Sequence, residues 1–257
     1  MNTCKSVLLW VVFAIIAGAM PAHATCSNAS LNGTFGQLFG LNPSAGFGTE
    51  LAQLSFDGNG NMTESYKAFV SNGGGAWHIN SALLIGVYSV SSDCTGTLTT
   101  IRPWDGTVSA QYTFAIQKGG QSLQMVNILS GVETLSLVAQ GSAACGLTGI
   151  KRTFAADLSG FVAGSGPIGY VGQVILDGKG NMSGTMTVNL NGSVATAPIT
   201  GSYTESANCL GTATISSSAF GTLDFDFVVV NSGNQLLVIE TDANTYVSGT
   251  MPLGLQP

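Results

Sequence analysis

Positive charge is scarce in this chain. Seven Lys and Arg stand against thirteen Asp and Glu, a formal net charge of −6, and only 8% of the residues are charged at all. So few cations cannot neutralise a run of phosphates, which excludes nucleic acid and anionic membrane surfaces as partners. Histidine is equally thin, and His78 is the only one beyond the first two dozen residues. There is no Cys-x-x-Cys, so the ligand spacing of a zinc site is missing. A Ser-His-Asp triad would hang on His78 alone, with no Gly-x-Ser-x-Gly elbow to carry its serine. Helical periodicity is absent, and no apolar run reaches the ~20 residues of a membrane-spanning helix. The chain is therefore expected to be no enzyme, with no catalytic residues, no metal and no cofactor. What it has in quantity is apolar residues, at 45%, and 35 glycines, enough for a buried core joined by tight turns.

The first 24 residues read as a secretory signal. Lys5 precedes an apolar run over 7–19, and Pro21 with Ala22-His23-Ala24 forms a cleavage-like end, which starts the mature chain at Thr25. The expected location is secreted or periplasmic in a bacterium, with no membrane span once the signal is removed.

The remaining chain repeats itself. Cys26 is followed by Thr34-Phe35 and Cys145 by Thr153-Phe154 at the same distances. Phe56-Asp57-Gly58-Asn59-Gly60-Asn61-Met62 recurs as Leu176-Asp177-Gly178-Lys179-Gly180-Asn181-Met182. Tyr88 with Cys94 recurs as Tyr203 with Cys209, and Phe114, Gly120 and Leu123 recur as Phe227, Gly233 and Leu236. Ordered anchors with slowly drifting offsets mark a duplicated domain, copy one over 25–144 and copy two over 145–257.

Each copy reads as about eight short strands. Alternation is clear at Tyr112, Phe114 and Ile116 and again at Leu223, Phe225 and Phe227, while Asp-Gly, Asn-Gly and Gly-Gly pairs supply the turns. The connections are too short for parallel crossovers. The fold class is all-β: two tandem antiparallel meander barrels of about eight strands, with open β-sandwiches as the alternative, because closure removes exposed edges.

The runs FDGNGN and GVYSVSSDCTGTLT, with VIETDANTYVSGT in copy two, resemble a tandem repeat of uncharacterised secreted bacterial proteins whose shape is similar to calycin or lipocalin-like β-barrels. Gly33-Thr34-Phe35 stands where that group has Gly-x-Trp. The resemblance covers nearly all of the mature chain and implies a fold rather than an activity.

Four cysteines remain after the signal, and the duplication selects Cys26 with Cys94 and Cys145 with Cys209, since a self-contained unit carries its own bridge. Asp57, Asn59 and Asn61 have the first spacings of a calcium loop, but Met62 and Ala68 stand where its glycine and bidentate Glu belong, so a hairpin turn is expected. Asp224 and Asp226 share a strand face and are expected to meet water. Trp77, Trp104 and Tyr112 occur only in copy one and are the candidate ligand-binding residues, as aromatics at the mouth of a barrel. Copy two has no Trp and offers Ala195, Ala197 and Ala213, so the two interiors should differ.

The function expected from these features is a secreted non-enzymatic protein in which one or both barrels bind a small apolar ligand. Two alternatives stand beside it. One is a structural or surface-interaction module with no ligand, and the other an outer-membrane β-barrel in which both copies join as sixteen strands. Chains ending or beginning near Ala144 are expected to fold on their own.

Overall fold

Short alternating segments joined by glycine turns leave a chain one economical way to bury apolar side chains without leaving sheet edges, which is closure. The computed structural model describes residues 25–41, 47–71, 76–129, 133–141 and 145–254. Segment 1–24, read as a signal, lies outside the described residues. The first barrel consists of β1 (Asn32–Leu41), β2 (Phe47–Asp57), β3 (Asn61–Ser71), β4 (Ala76–Val90), β5 (Thr95–Ile101), β6 (Val108–Gln117), β7 (Ser122–Asn127) and β8 (Thr134–Ala139). The second consists of β9 (Thr153–Val162), β10 (Gly166–Leu176), β11 (Asn181–Leu190), β12 (Ser193–Glu205), β13 (Leu210–Ser217), β14 (Gly221–Val230), β15 (Gln235–Glu240) and β16 (Thr245–Pro252).

Every strand pairs antiparallel with its sequence neighbour, and each copy closes on itself, β1 on β8 through Phe35 and Ala139 and β9 on β16 through Phe161 and Tyr246. Two closed barrels replace both the open sandwich and the single sixteen-stranded barrel. Outward hydroxyls pair across strands, with Thr187 against Thr196 at 2.8 Å and Thr204 against Thr212 at 2.9 Å, although β4 also presents Leu83, Ile85 and Val87 to solvent. No described helix is long and apolar enough to cross a membrane.

The repeated motifs have the same structural work in both copies. Asp57 Oδ1 accepts the backbone N–H groups of Asn59 and Asn61, and Asn61 Nδ2 donates to Asp57 Oδ2 at 2.7 Å; Asp177 does the same with Lys179 and Asn181. These donors hold both Asp carboxyls below their usual range. The run is a hairpin turn tied by its own aspartate. The bridges are Cys26–Cys94 and Cys145–Cys209, with Cα atoms 4.9 and 4.8 Å apart, as the duplication requires. Closing loops of 68 and 64 residues stabilises each unit by ~4 kcal/mol on chain-entropy grounds. Gly96 pairs across strands with Phe114, and Gly211 with Phe227, and a Cβ on either glycine would sit 2.3 or 2.1 Å from the partner's ring. The ring lies over the missing side chain, which explains why both members recur.

A third core joins the barrels. Leu51 and Phe69 on the outer face of the first pack with Val228, Val230, Leu237, Ile239 and Tyr246 on the outer face of the second. This is why β14 is buried without a break over 225–230 and β15 over 236–240, where strict alternation would leave every second residue wet. Gly36 permits the approach, since a Cβ there would meet Val230 Cγ1 at 2.5 Å. The same contact corrects the expectation for Asp226. It is 8% exposed and bridged to Lys67 of the first barrel at 2.6 Å, while Asp224 stays exposed beside Thr214.

Candidate functional site: the open end of the first barrel

Inward positions follow from register and period. In the first barrel they include Phe35, Gln37 and Phe39 on β1, facing Leu54, Ala52 and Glu50 on β2, and then Met62, Glu64 and Tyr66 on β3. Beyond them come Ala82, Leu84 and Tyr88 on β4, Leu98 and Thr100 on β5, Tyr112 and Phe114 on β6, and Met125 and Asn127 on β7. One end of this interior is apolar and sealed. Phe35, Phe56 and Tyr88 stack edge to face there, with centroids 5.4 and 5.1 Å apart, over Leu98, Leu123 and Leu137. Tyr88 closes that floor by donating from its hydroxyl to Leu31 O at 2.9 Å.

The other end is polar and open. Gln37 Nε2 donates to Glu50 Oε1 at 3.1 Å, Thr100 lies inside beside Ala110, and Asn127 Nδ2 donates to Glu133 Oε2 at 2.8 Å. Glu64 is 7% exposed and takes a hydrogen bond from none of the described residues. Burial drives the carboxyls of both inner glutamates up, with the neighbouring acidic charges adding to it, Glu50 to about 8 and Glu64 to about 7. Burial also raises the Tyr66 and Tyr112 hydroxyls, and the same carboxylates reinforce the rise. Phe39, Glu50, Tyr66, Ala82 and Tyr112 all point inward, yet all remain only half-buried.

The second barrel supplies the comparison, because it presents the same positions. Phe39 corresponds to Leu158, Glu50 to Tyr170, Tyr66 to Met186, Ala82 to Ala197 and Tyr112 to Phe225, and each of these five is buried. Gly184 stands where the first barrel has Glu64, and Ile215 where it has Thr100. The residual space is about 40 Å³, lined by apolar side chains such as Leu158, Met186 and Phe225. A small-molecule site needs roughly 300–1,000 Å³, so this barrel is filled by itself. The expected difference between the interiors is real, but the bulk of the second comes from Tyr170, Met186 and Phe225, which fill the room left by Ala197 and Ala213. Of its inward carboxyls, Glu240 takes a hydrogen bond from the Tyr170 hydroxyl on one oxygen and is raised by burial to about 7, and Glu205, at the end of β12, is also raised by burial.

No protein-family model and no curated protein matches this chain.

Of the three aromatic candidates, Tyr112 enters the open end. Trp104 lies in the β5–β6 connection at that same end and is 64% exposed, on the solvent side of the rim. Trp77 falls at the start of β4, again at that end, and its side chain lies outside the described residues. Residues that sequence reading passes over are Gln37, Glu50, Glu64, Tyr66, Asn127 and Glu133. Laying copy one over copy two at an offset of 120 sets Glu50 against Tyr170 and Glu64 against Gly184, in strands whose other inward residues are apolar. In a chain this poor in charge, that is a usable signal.

Two further features are weaker. A cleft of about 410 Å³ between the barrels has Lys67 and Asp226 in its floor, but those charges already satisfy one another. Cys145, Glu205 and Cys209 bring their ligand atoms within 4.8 Å, but both sulfurs are spent in the disulfide.

Proposed function

We propose that this is a secreted or periplasmic, non-enzymatic binding protein of calycin-like character. Its first barrel receives one small molecule at the open end, and its second barrel is a structural partner. One observation carries the reading: five inward residues that are half-buried in the first barrel have buried counterparts in the second. Phe39, Tyr66 and Tyr112 would wall the apolar part of the occupant, above a floor that is already packed. The two disulfides suit an oxidising compartment, which supports export. A module with no ligand remains the competing reading, and it already describes the second barrel.

An uncharged environment-sensitive dye such as Nile red separates the two. The intact protein should bind it saturably at one site, and Ala82→Trp, which adds an indole at a half-buried inward position, should abolish that binding with the melt preserved. Absence of saturable binding by the unaltered protein, or binding that survives Ala82→Trp unchanged, would leave the structural module.

A further inference from the structure

Resting on the pocket reading above, we infer that the occupant of the first barrel is an organic cation, an amine carried on an apolar body, whose ammonium group takes Glu64, with Glu50 and Glu133, as its counter-charges. Three carboxyl groups converge on one end of one barrel in a chain with only thirteen Asp and Glu. The two on β2 and β3 lie inside the wall, and Glu133 lies next to β8 with its Oε2 fixed by Asn127. Among the described residues no Lys or Arg forms an ion pair with any of them, and the one ion pair present, Lys67 with Asp226, lies outside the barrel.

Glu64 points to a missing partner. It is 7% exposed, its register places it among Met62, Leu84 and Tyr66, and no described donor reaches it. A carboxyl set this deep without a donor is costly, and the second barrel carries glycine at the matching position. In the first barrel the carboxyl sits beside the half-buried inward residues Tyr66 and Ala82. A ligand that brings its own positive charge would remove the penalty.

The geometry favours an ammonium over a bare metal ion. Among the described residues, Glu50, Glu64 and Glu133 do not form a group of ligand atoms close enough together to hold one metal ion. An ammonium with three N–H donors can bridge more widely placed acceptors, and Tyr66 and Tyr112 are half-buried inward aromatics at the same end. The charged and titratable groups facing the pocket are Glu50 from β2, Glu64 and Tyr66 from β3, Tyr112 from β6, Glu133 before β8 and Arg102 after β5. His78, on β4, has its side chain outside the described residues. Because an alkylamine keeps its proton across the neutral range while Glu50 and Glu64 lose theirs, cation binding should strengthen as the pH rises and should release protons.

A matched pair of probes tests this, 1-naphthylmethylamine and 1-naphthalenemethanol, which differ in the charged group and share the ring. Isothermal titration of the full chain should give at least about tenfold tighter binding of the amine at about pH 8 and a smaller preference at about pH 5.5. The enthalpy should depend on the buffer's ionisation heat, reporting proton release. Glu64→Gln should cost the amine about tenfold and leave the alcohol within about twofold. Should that variant not fold, Glu50→Gln and the pH series on the unaltered chain carry the same test. Equal binding of both probes, or tighter binding of the alcohol, would overturn the cation and leave the pocket. Failure of both probes together with Nile red would overturn the pocket as well.

Discussion

Between pH 5 and pH 9 the melting temperature of this protein should fall, by roughly 10 °C. Glu64 and Glu240 are buried and Glu50 half-buried, and desolvation raises them to about 7, 7 and 8, so the folded chain keeps protons that the unfolded chain has released. The stabilisation they allow is complete below the unfolded carboxylate value and is lost as the pH climbs through those folded values. Holding a proton one pH unit further into the alkaline range corresponds to ~1.4 kcal/mol, and a combined loss of a few kcal/mol moves the melt of a chain this long by ~2–4 °C per kcal/mol. Acid works on a different set. Asp57, Asp93, Asp105 and Asp177 are lowered by hydrogen bonds in exposed turns, so their contribution is present above the unfolded value and disappears as the pH falls through the folded one. Stability should therefore peak near pH 5. Replacing Glu50 and Glu64 by Gln should flatten the alkaline limb. A melting temperature that rises between pH 5 and pH 9 would mean that these carboxyls are paired or solvated.

The second large effect concerns the join between the barrels. Val230→Asp should lower the melting temperature by about 10 °C, because the new carboxylate would be buried among the apolar side chains of Val228, Leu237 and Ile239 of the inter-barrel core. Val230 is fully buried although it lies on the outer face of its own barrel. For the same reason a chain beginning near Ala144 should close its barrel yet associate in solution, since Val228, Val230, Leu237, Ile239 and Tyr246 would lose the cover of Leu51 and Phe69. Size-exclusion chromatography with light scattering reads this directly. A monomeric second half, together with an unshifted Val230→Asp melt, would show that the third core contributes little. The barrels are closed separately but not independent in energy, which qualifies the expectation drawn from the duplication alone.

How much of this is legible in the residues divides along physical lines. Strand number, closure and disulfide pairing follow from local information: turn glycines, period-two alternation and the demand that each copy hold its own bridge. The DGNGN turn is local too, since Asp57 is satisfied within four residues. Docking of one barrel on the other is not local. The runs at 225–230 and 236–240 do abandon alternation, a sign of strands covered on both faces, but nothing within them names the surface that covers them. Asp226 departs from its expected exposure for that reason, because its partner Lys67 lies 159 positions away. The site is half visible. Aromatic residues confined to copy one point to the right barrel and the right end, yet Trp104 stays on the solvent side and only Tyr112 enters. The glutamates stay hidden because a single charge in a strand reads as an outward residue until register fixes which face it occupies.

The central claim is the asymmetry between two equivalent interiors, one open and one filled. Trp77 and Trp104 replaced by Phe give a background in which Tyr112→Trp and Phe225→Trp each place one reporter at matched inward positions beyond the first 24 residues. Acrylamide quenching of the two proteins measures solvent access at these positions without any ligand. The tryptophan at 112 should be quenched several-fold more steeply than the one at 225, whose emission should stay blue and shielded. Equal and low quenching at both positions would contradict an open first barrel, and equal and high quenching would contradict a filled second one.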